Sequence, residues 1–133
     1  MLVAVIDDGI IPEMFSIGPL RYDMCVTKRG CVRRRKPEEK ITTNHGTTVA
    51  GIIRKYAPDT EFCSVRVFSD NLMKTTCGKL FAALKWCLKK NIPVINLSLG
   101  TVDPLDFKKI RRITDKLLRN GQIIVAACNR NGK

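Results

Sequence analysis

Leu2-Val3-Ala4-Val5-Ile6 form an unbroken apolar run that stops at Asp7-Asp8-Gly9. A run that is apolar at every position, rather than at every second one, predicts a strand buried on both faces, as in a parallel sheet. Residues 11–43 keep no period and are broken by Pro12, Gly18, Pro19 and Gly30. They read as a long loop holding a short hairpin around residues 25–32. Asn44-His45-Gly46-Thr47-Thr48 then opens a helix, with Val49, Ile52, Ile53 and Tyr56 at helical spacing, that ends before Pro58. Residues 61–68 form a second buried strand. Residues 78–90 form an amphipathic helix, with Leu80, Phe81, Leu84, Cys87 and Leu88 on one face, closed near Asn91. Residues 93–99 are a third strand. Asp103 and Pro104 supply the N-cap and first position of a third helix carrying Phe107, Ile110, Thr114 and Leu117, and Gly121 ends it. Residues 122–127 are a fourth strand. Strands alternating with helices of this length imply an α/β fold, a parallel sheet with helical crossovers.

The 133 residues suffice for one domain, and a composition 44% hydrophobic and 27% charged supplies a core. No segment approaches the roughly 18–20 uncharged apolar residues of a membrane helix. The first residues also lack the order of a secretory signal, because Asp7 and Asp8 come too soon. Neither a membrane nor export is expected. The net charge of +12 raises the question of a polyanion. No aromatics interleave with Arg33-Arg34-Arg35-Lys36 as a stacking platform needs, so this run reads as a solvated basic loop and nucleic acid is not an expected partner. Three of the six cysteines lie inside apolar periodic segments, which predicts reduced thiols and a cytoplasmic location, with Cys25 and Cys31 the only local pair. One histidine and no CxxC leave a closed zinc site without ligands, and no cofactor is expected.

In an open parallel sheet, functional residues collect beyond the carboxyl ends of the strands. Those ends carry Asp7-Asp8-Gly9, Ser98-Leu99-Gly100 and Cys128-Asn129, and His45 at a helix start can face the same crevice. A carboxylate that orients an imidazole is half of a nucleophilic triad, because a base is useful in only one tautomer and orientation. Taken singly, each residue has a plainer reading: a turn cap for either aspartate, a structural histidine, a buried strand serine, an asparagine in a turn. The paired acids also suit a receiver-type phosphoacceptor domain, where they hold Mg²⁺ with a third acid such as Asp70. That reading leaves NHGTTVAG and NLSLG unexplained.

Together, VAVIDDG (3–9), NHGTTVAG (44–51), VINLSLG (94–100) and IIVAACN (123–129) resemble, in order, four signature segments of the subtilisin-like serine proteases. The resemblance runs from residue 2 to residue 131. It implies a three-layer subtilisin-like fold, incomplete at its C-terminal side, and peptide-bond hydrolysis by an Asp-His-Ser triad on a peptide or protein substrate. Asp7 would orient His45, the general base. Ser98, Leu99 and Gly100 would pair with the substrate backbone. Asn129 would donate its amide to the oxyanion, a contact worth about 2.7–4 kcal/mol in subtilisin. Three positions depart from the pattern. Asp8 stands where Ser or Thr usually follows the catalytic aspartate, which leaves open which carboxylate faces His45; Thr48 stands where a second His is common; and Cys128 replaces a Gly. The nucleophile segment GTS-x-A is absent, and Ser16, Ser64, Ser69 and Ser98 lie in no such context. The expectation is therefore residues 1–133 as a partial peptidase domain, truncated before the nucleophile and inactive alone. Either the gene product is truncated or a second chain supplies the serine, and uncovered apolar surface would favour self-association. A peptide-binding relic without catalysis is the in-family alternative.

Overall fold

In the computed structural model, which describes residues 1–68, 76–98 and 107–127, the chain runs β1 (Leu2–Asp7), β2 (Tyr22–Val26), β3 (Val32–Arg34), α1 (His45–Tyr56), β4 (Glu61–Arg66), α2 (Cys77–Lys89), β5 (Val94–Ser98), α3 (Phe107–Arg119) and β6 (Ile123–Ala127). The sheet order is β3-β2-β4-β1-β5-β6, parallel throughout except for the antiparallel edge strand β3. The expected α/β architecture is the observed one. β1 lies between β4 and β5, and its alternating side chains feed two cores. Ala4 and Ile6 pack with α2 and α3 through Leu80, Leu84, Cys87, Ile113 and Leu117. Val3 and Val5 pack with Phe62, Ala50, Ile10 and Ile17 under α1. A strand covered by helices on both sides has no wet face, which is why its sequence is apolar at every position.

Three expectations need correction. The stretch 11–43 is more structured than a loop: Ile17 is fully buried, the hairpin expected around residues 25–32 is β2 turning back into β3, and β2 also joins the sheet in parallel with β4. The start of β2, before Cys25, leaves no signal in the sequence because its inner face is held by Tyr22 packed edge-on against Trp86, ring centroids 5.2 Å apart, rather than by a run of aliphatic residues. In α1 the inward residues are Gly46, Thr47 and Ala50, with Val49 and Ile53 partly buried; Ile52 and Tyr56 are exposed. The helix approaches β1 so closely that small residues, not large apolar ones, form its inner stripe. In α3 the buried positions are Ile113 and Leu117, while Thr114 is only half-buried. Gly121, at φ +84°, ends α3 in the left-handed conformation that glycine adopts without strain. The expected start of that helix at Asp103 and Pro104 lies outside the described residues.

Cys25, Cys63 and Cys87 are buried thiols, and Cys31 is an exposed one. Burial pushes Cys63 up to about 12 and raises Cys87 as well, which keeps both unreactive. Ser64, on β4, is fully buried and its hydroxyl has no partner among the described residues. A buried hydroxyl without a hydrogen bond loses its hydration for nothing. Ser64→Ala is therefore expected to stabilise the chain by about 1 kcal/mol, read as a higher denaturation midpoint; an unchanged or lower midpoint refutes this.

Candidate active site

Asp7 is the last residue of β1 and is fully buried. Parallel pairing puts Ile6 opposite Leu97, so the next residues along, Asp7 and Ser98, meet at the carboxyl end of the sheet. Ser98 Oγ donates to Asp7 Oδ2 at 2.5 Å. The same oxygen lies 2.7 Å from His45 Nδ1, and the backbone N–H of Asp8 donates to Asp7 Oδ1 at 2.8 Å. Burial holds the Asp7 carboxyl above the ordinary carboxylate range, while the hydrogen bonds from Ser98 and His45 pull it back down. A carboxyl with a raised native pKa binds its proton more tightly folded than unfolded. Its contribution to stability is thus present below pH 3.8 and lost as the pH rises through the raised value.

His45 is the first residue of α1, and its side chain is 55% exposed although its partner is wholly buried. With Asp7 ionised, Nδ1 must carry the proton it shares with Oδ2. The neutral ring then keeps its lone pair on Nε2, which has no partner among the described residues. Such an imidazole can take a proton from a group placed against it and be stabilised as imidazolium by the carboxylate behind it.

The tandem acids, ambiguous in the sequence, are separated by the structure. Asp7 faces the imidazole. Asp8, equally buried, accepts the backbone N–H of Gly46 on Oδ1 at 2.7 Å and of His45 on Oδ2 at 3.2 Å. With both Asp8 oxygens taken by N–H donors, the pair is not the open acidic cradle of a receiver domain. Thr47, also buried, accepts the N–H of Ile11 at 2.9 Å and ties the segment after β1 to the same helix turn. A Cβ built on Gly46 would lie 2.5 Å from the carbonyl oxygen of Gly9.

The structure therefore brings Asp7, His45 and Ser98 together. Ser98 also reaches the site through its hydroxyl, a contact that sequence reading did not give, and its backbone is in register with Ala127 of β6. Leu99, Gly100, Cys128 and Asn129 lie outside the described residues. Gly46 and Asp8 were also missed as site-shaping residues, although the glycine next to the histidine and the second acid were visible signals. The basic run folds on itself: Arg33 makes a two-pronged pair with Glu39 at 2.8 and 2.7 Å, and Arg35 pairs with Asp23 at 2.9 Å. The Arg33 guanidinium lowers Glu39 to about 2. No helix among the described residues is long and apolar enough to cross a membrane.

Residues 1–132 match the Subtilase family. The human membrane-bound transcription factor site-1 protease is 35% identical over 94 residues, which are 66% of this chain and 9% of that protein. Subtilisin E of Bacillus subtilis is 27% identical over 99 residues, 68% of this chain and 25% of that protein. A lanthipeptide protease of known structure superposes with a TM-score of 0.74 at 20% identity, covering 95% of this chain and 38% of its own. The prenylagaramide maturation protease PagA gives 0.66 at 21% identity, covering 95% and 44%. The chain thus spans less than half the length of each of these proteins.

Proposed function

The chain belongs to the subtilase family, and from that membership we propose that residues 1–133 are part of one subtilisin-like peptidase domain, supplying the Asp-His arm of a serine endopeptidase. The observation that carries this reading is the 2.7 Å contact between a half-exposed imidazole and a wholly buried carboxylate, with Nε2 unpartnered among the described residues. Asp7 holds His45 in the tautomer that can deprotonate a serine hydroxyl, and His45 then returns the proton to the leaving amine. Ser98 keeps Asp7 in place by a third hydrogen bond. The chain beyond Ser98, through Leu99 and Gly100, pairs with the backbone of a peptide or protein substrate. Asn129 donates to the oxyanion.

None of the described serines is the nucleophile of this reading: Ser98 is bonded to the carboxylate, Ser64 is sealed in the core, and Ser16 sits in an exposed turn. No GTS-x-A segment occurs within the 133 residues. The serine comes from residues beyond these, in the same polypeptide or a second one. The exposed Ile123 and Val125 on β6 offer an apolar surface for such a segment or for self-association. The buried thiols support a reducing, cytoplasmic setting as part of the same proposal.

The test is hydrolysis of an unstructured protein such as casein. The 133 residues alone are expected to release no peptides; fused to a subtilase segment carrying GTS-x-A, they are expected to cleave casein and to label with a serine-directed phosphonate. A folded fusion that neither cleaves nor labels refutes the reading. Cleavage by the chain alone, abolished by His45→Ala, would reveal a nucleophile within it.

A further inference from the structure

We propose that Asp8 is a positioning residue: its buried carboxylate grips the first turn of α1 and thereby sets the distance between His45 and Asp7. The inference rests on reading Asp7 and His45 as the working pair, and it adds what holds that pair in register.

A helix start leaves backbone N–H groups without partners, and an N-cap side chain ordinarily accepts one of them. Here the residue in that place, Asn44, makes no side-chain cap bond, and the first turn of α1 contains no acid. The acceptor comes instead from Asp8, which is 37 residues from His45 in sequence and 38 from Gly46. Each of its oxygens takes one N–H, at 3.2 Å from His45 and 2.7 Å from Gly46. The carboxylate also sits at the positive end of the helix dipole, where a negative charge is favoured.

The geometry makes this more than a cap. Asp7 and Asp8 are consecutive, so one short stretch of backbone holds both the acceptor of the imidazole proton and the acceptor of the peptide N–H that bears the imidazole. The helix cannot slide along or away from β1 without stretching an Asp8 bond, and any such slide changes the Nδ1 to Oδ2 distance directly. Gly46 permits the close approach, since a Cβ there would meet Asp8 Oδ1 at 2.9 Å. A serine or threonine at position 8 would offer one uncharged oxygen where Asp8 offers two carboxylate oxygens, one aimed at each N–H.

The test uses the 133 residues, among which His45 is the only histidine and gives a single set of imidazole NMR signals. Two readouts are taken: the low-field proton of the Nδ1–H···Oδ2 bond, and hydrogen exchange at the Gly46 amide. In Asp8→Ala the Gly46 amide is expected to exchange about tenfold faster or more, and the low-field proton to broaden away or move upfield. Asp8→Ser and Asp8→Asn, each with one acceptor oxygen, are expected to fall between, and they carry the test if Asp8→Ala does not fold. An unchanged low-field proton and unchanged Gly46 exchange in any folded variant overturn the proposal. A low-field proton that is absent from the wild type, or that survives Asp7→Asn, overturns the pair itself; Gly46 exchange then still decides whether Asp8 holds the helix.

Discussion

Replacing His45 by alanine is expected to lower kcat of the serine-completed enzyme by about 10⁶-fold, and Asp7→Asn by about 10⁴-fold, the orders known for the corresponding groups of subtilisin. The two losses have different causes. Without the imidazole nothing removes the serine proton, and the nucleophile reverts to a weak alcohol. With asparagine at position 7, the amide can donate to Nδ1 and favours the tautomer whose proton sits on Nε2, where a base needs its lone pair. Both changes act on the transition state, so KM is expected to change little. The measurement is kcat and KM on a chromogenic peptide. An Asp7→Asn enzyme within tenfold of the parent would mean that the 2.7 Å contact is structural and has no part in the chemistry.

Gly46→Ala is expected to destabilise the chain by about 1–3 kcal/mol, whereas Gly78→Ala is expected to stabilise it by up to about 1 kcal/mol. Both glycines are helical, at neither is the backbone in the left-handed region, and helix propensity alone favours alanine at each. Their surroundings decide the sign. At Gly78 the nearest foreign atom to a new Cβ among the described residues is Thr76 Oγ1 at 3.8 Å, ordinary contact distance. At Gly46 the Cβ would meet the Gly9 carbonyl oxygen at 2.5 Å and Asp7 Cβ at 3.1 Å, and the first of these is backbone that cannot swing aside. α1 would have to withdraw from β1, lengthening the His45 to Asp7 contact as well. A displacement of about 1 Å is enough to reduce turnover on the order of 10²-fold. Chemical denaturation of the two variants gives opposite shifts if this is right; a stabilised Gly46→Ala would show that the helix start has room.

Much of the fold could be read from local signals. The unbroken apolar run of residues 2–6, the helical spacing in 78–90, and the Gly121 stop each report on residues that are neighbours in sequence, and each became the expected element. Where the reading failed, the deciding contact was distant. β2 is held by Trp86 and by pairing with β4, neither of which leaves a periodic trace within 22–26. α1 looked amphipathic through Ile52 and Tyr56, yet it packs on glycine, threonine and alanine because β1 comes too close for anything larger.

The site divides in the same way. By itself, the sequence determined that an aspartate ends a buried strand, that a histidine opens a helix, and that a serine ends a neighbouring strand, because each depends on the pattern of its own segment. Only the tertiary structure decided which of two adjacent aspartates meets the imidazole, that the other holds the helix start, that Ser98 acts through its hydroxyl on Asp7, and that Gly46 tolerates no side chain. These are contacts between groups 38 and 91 residues apart. Asp7 and Asp8 are the same residue type in nearly the same sequence context, so composition and periodicity cannot tell them apart; the direction each carboxylate takes from the end of β1 does.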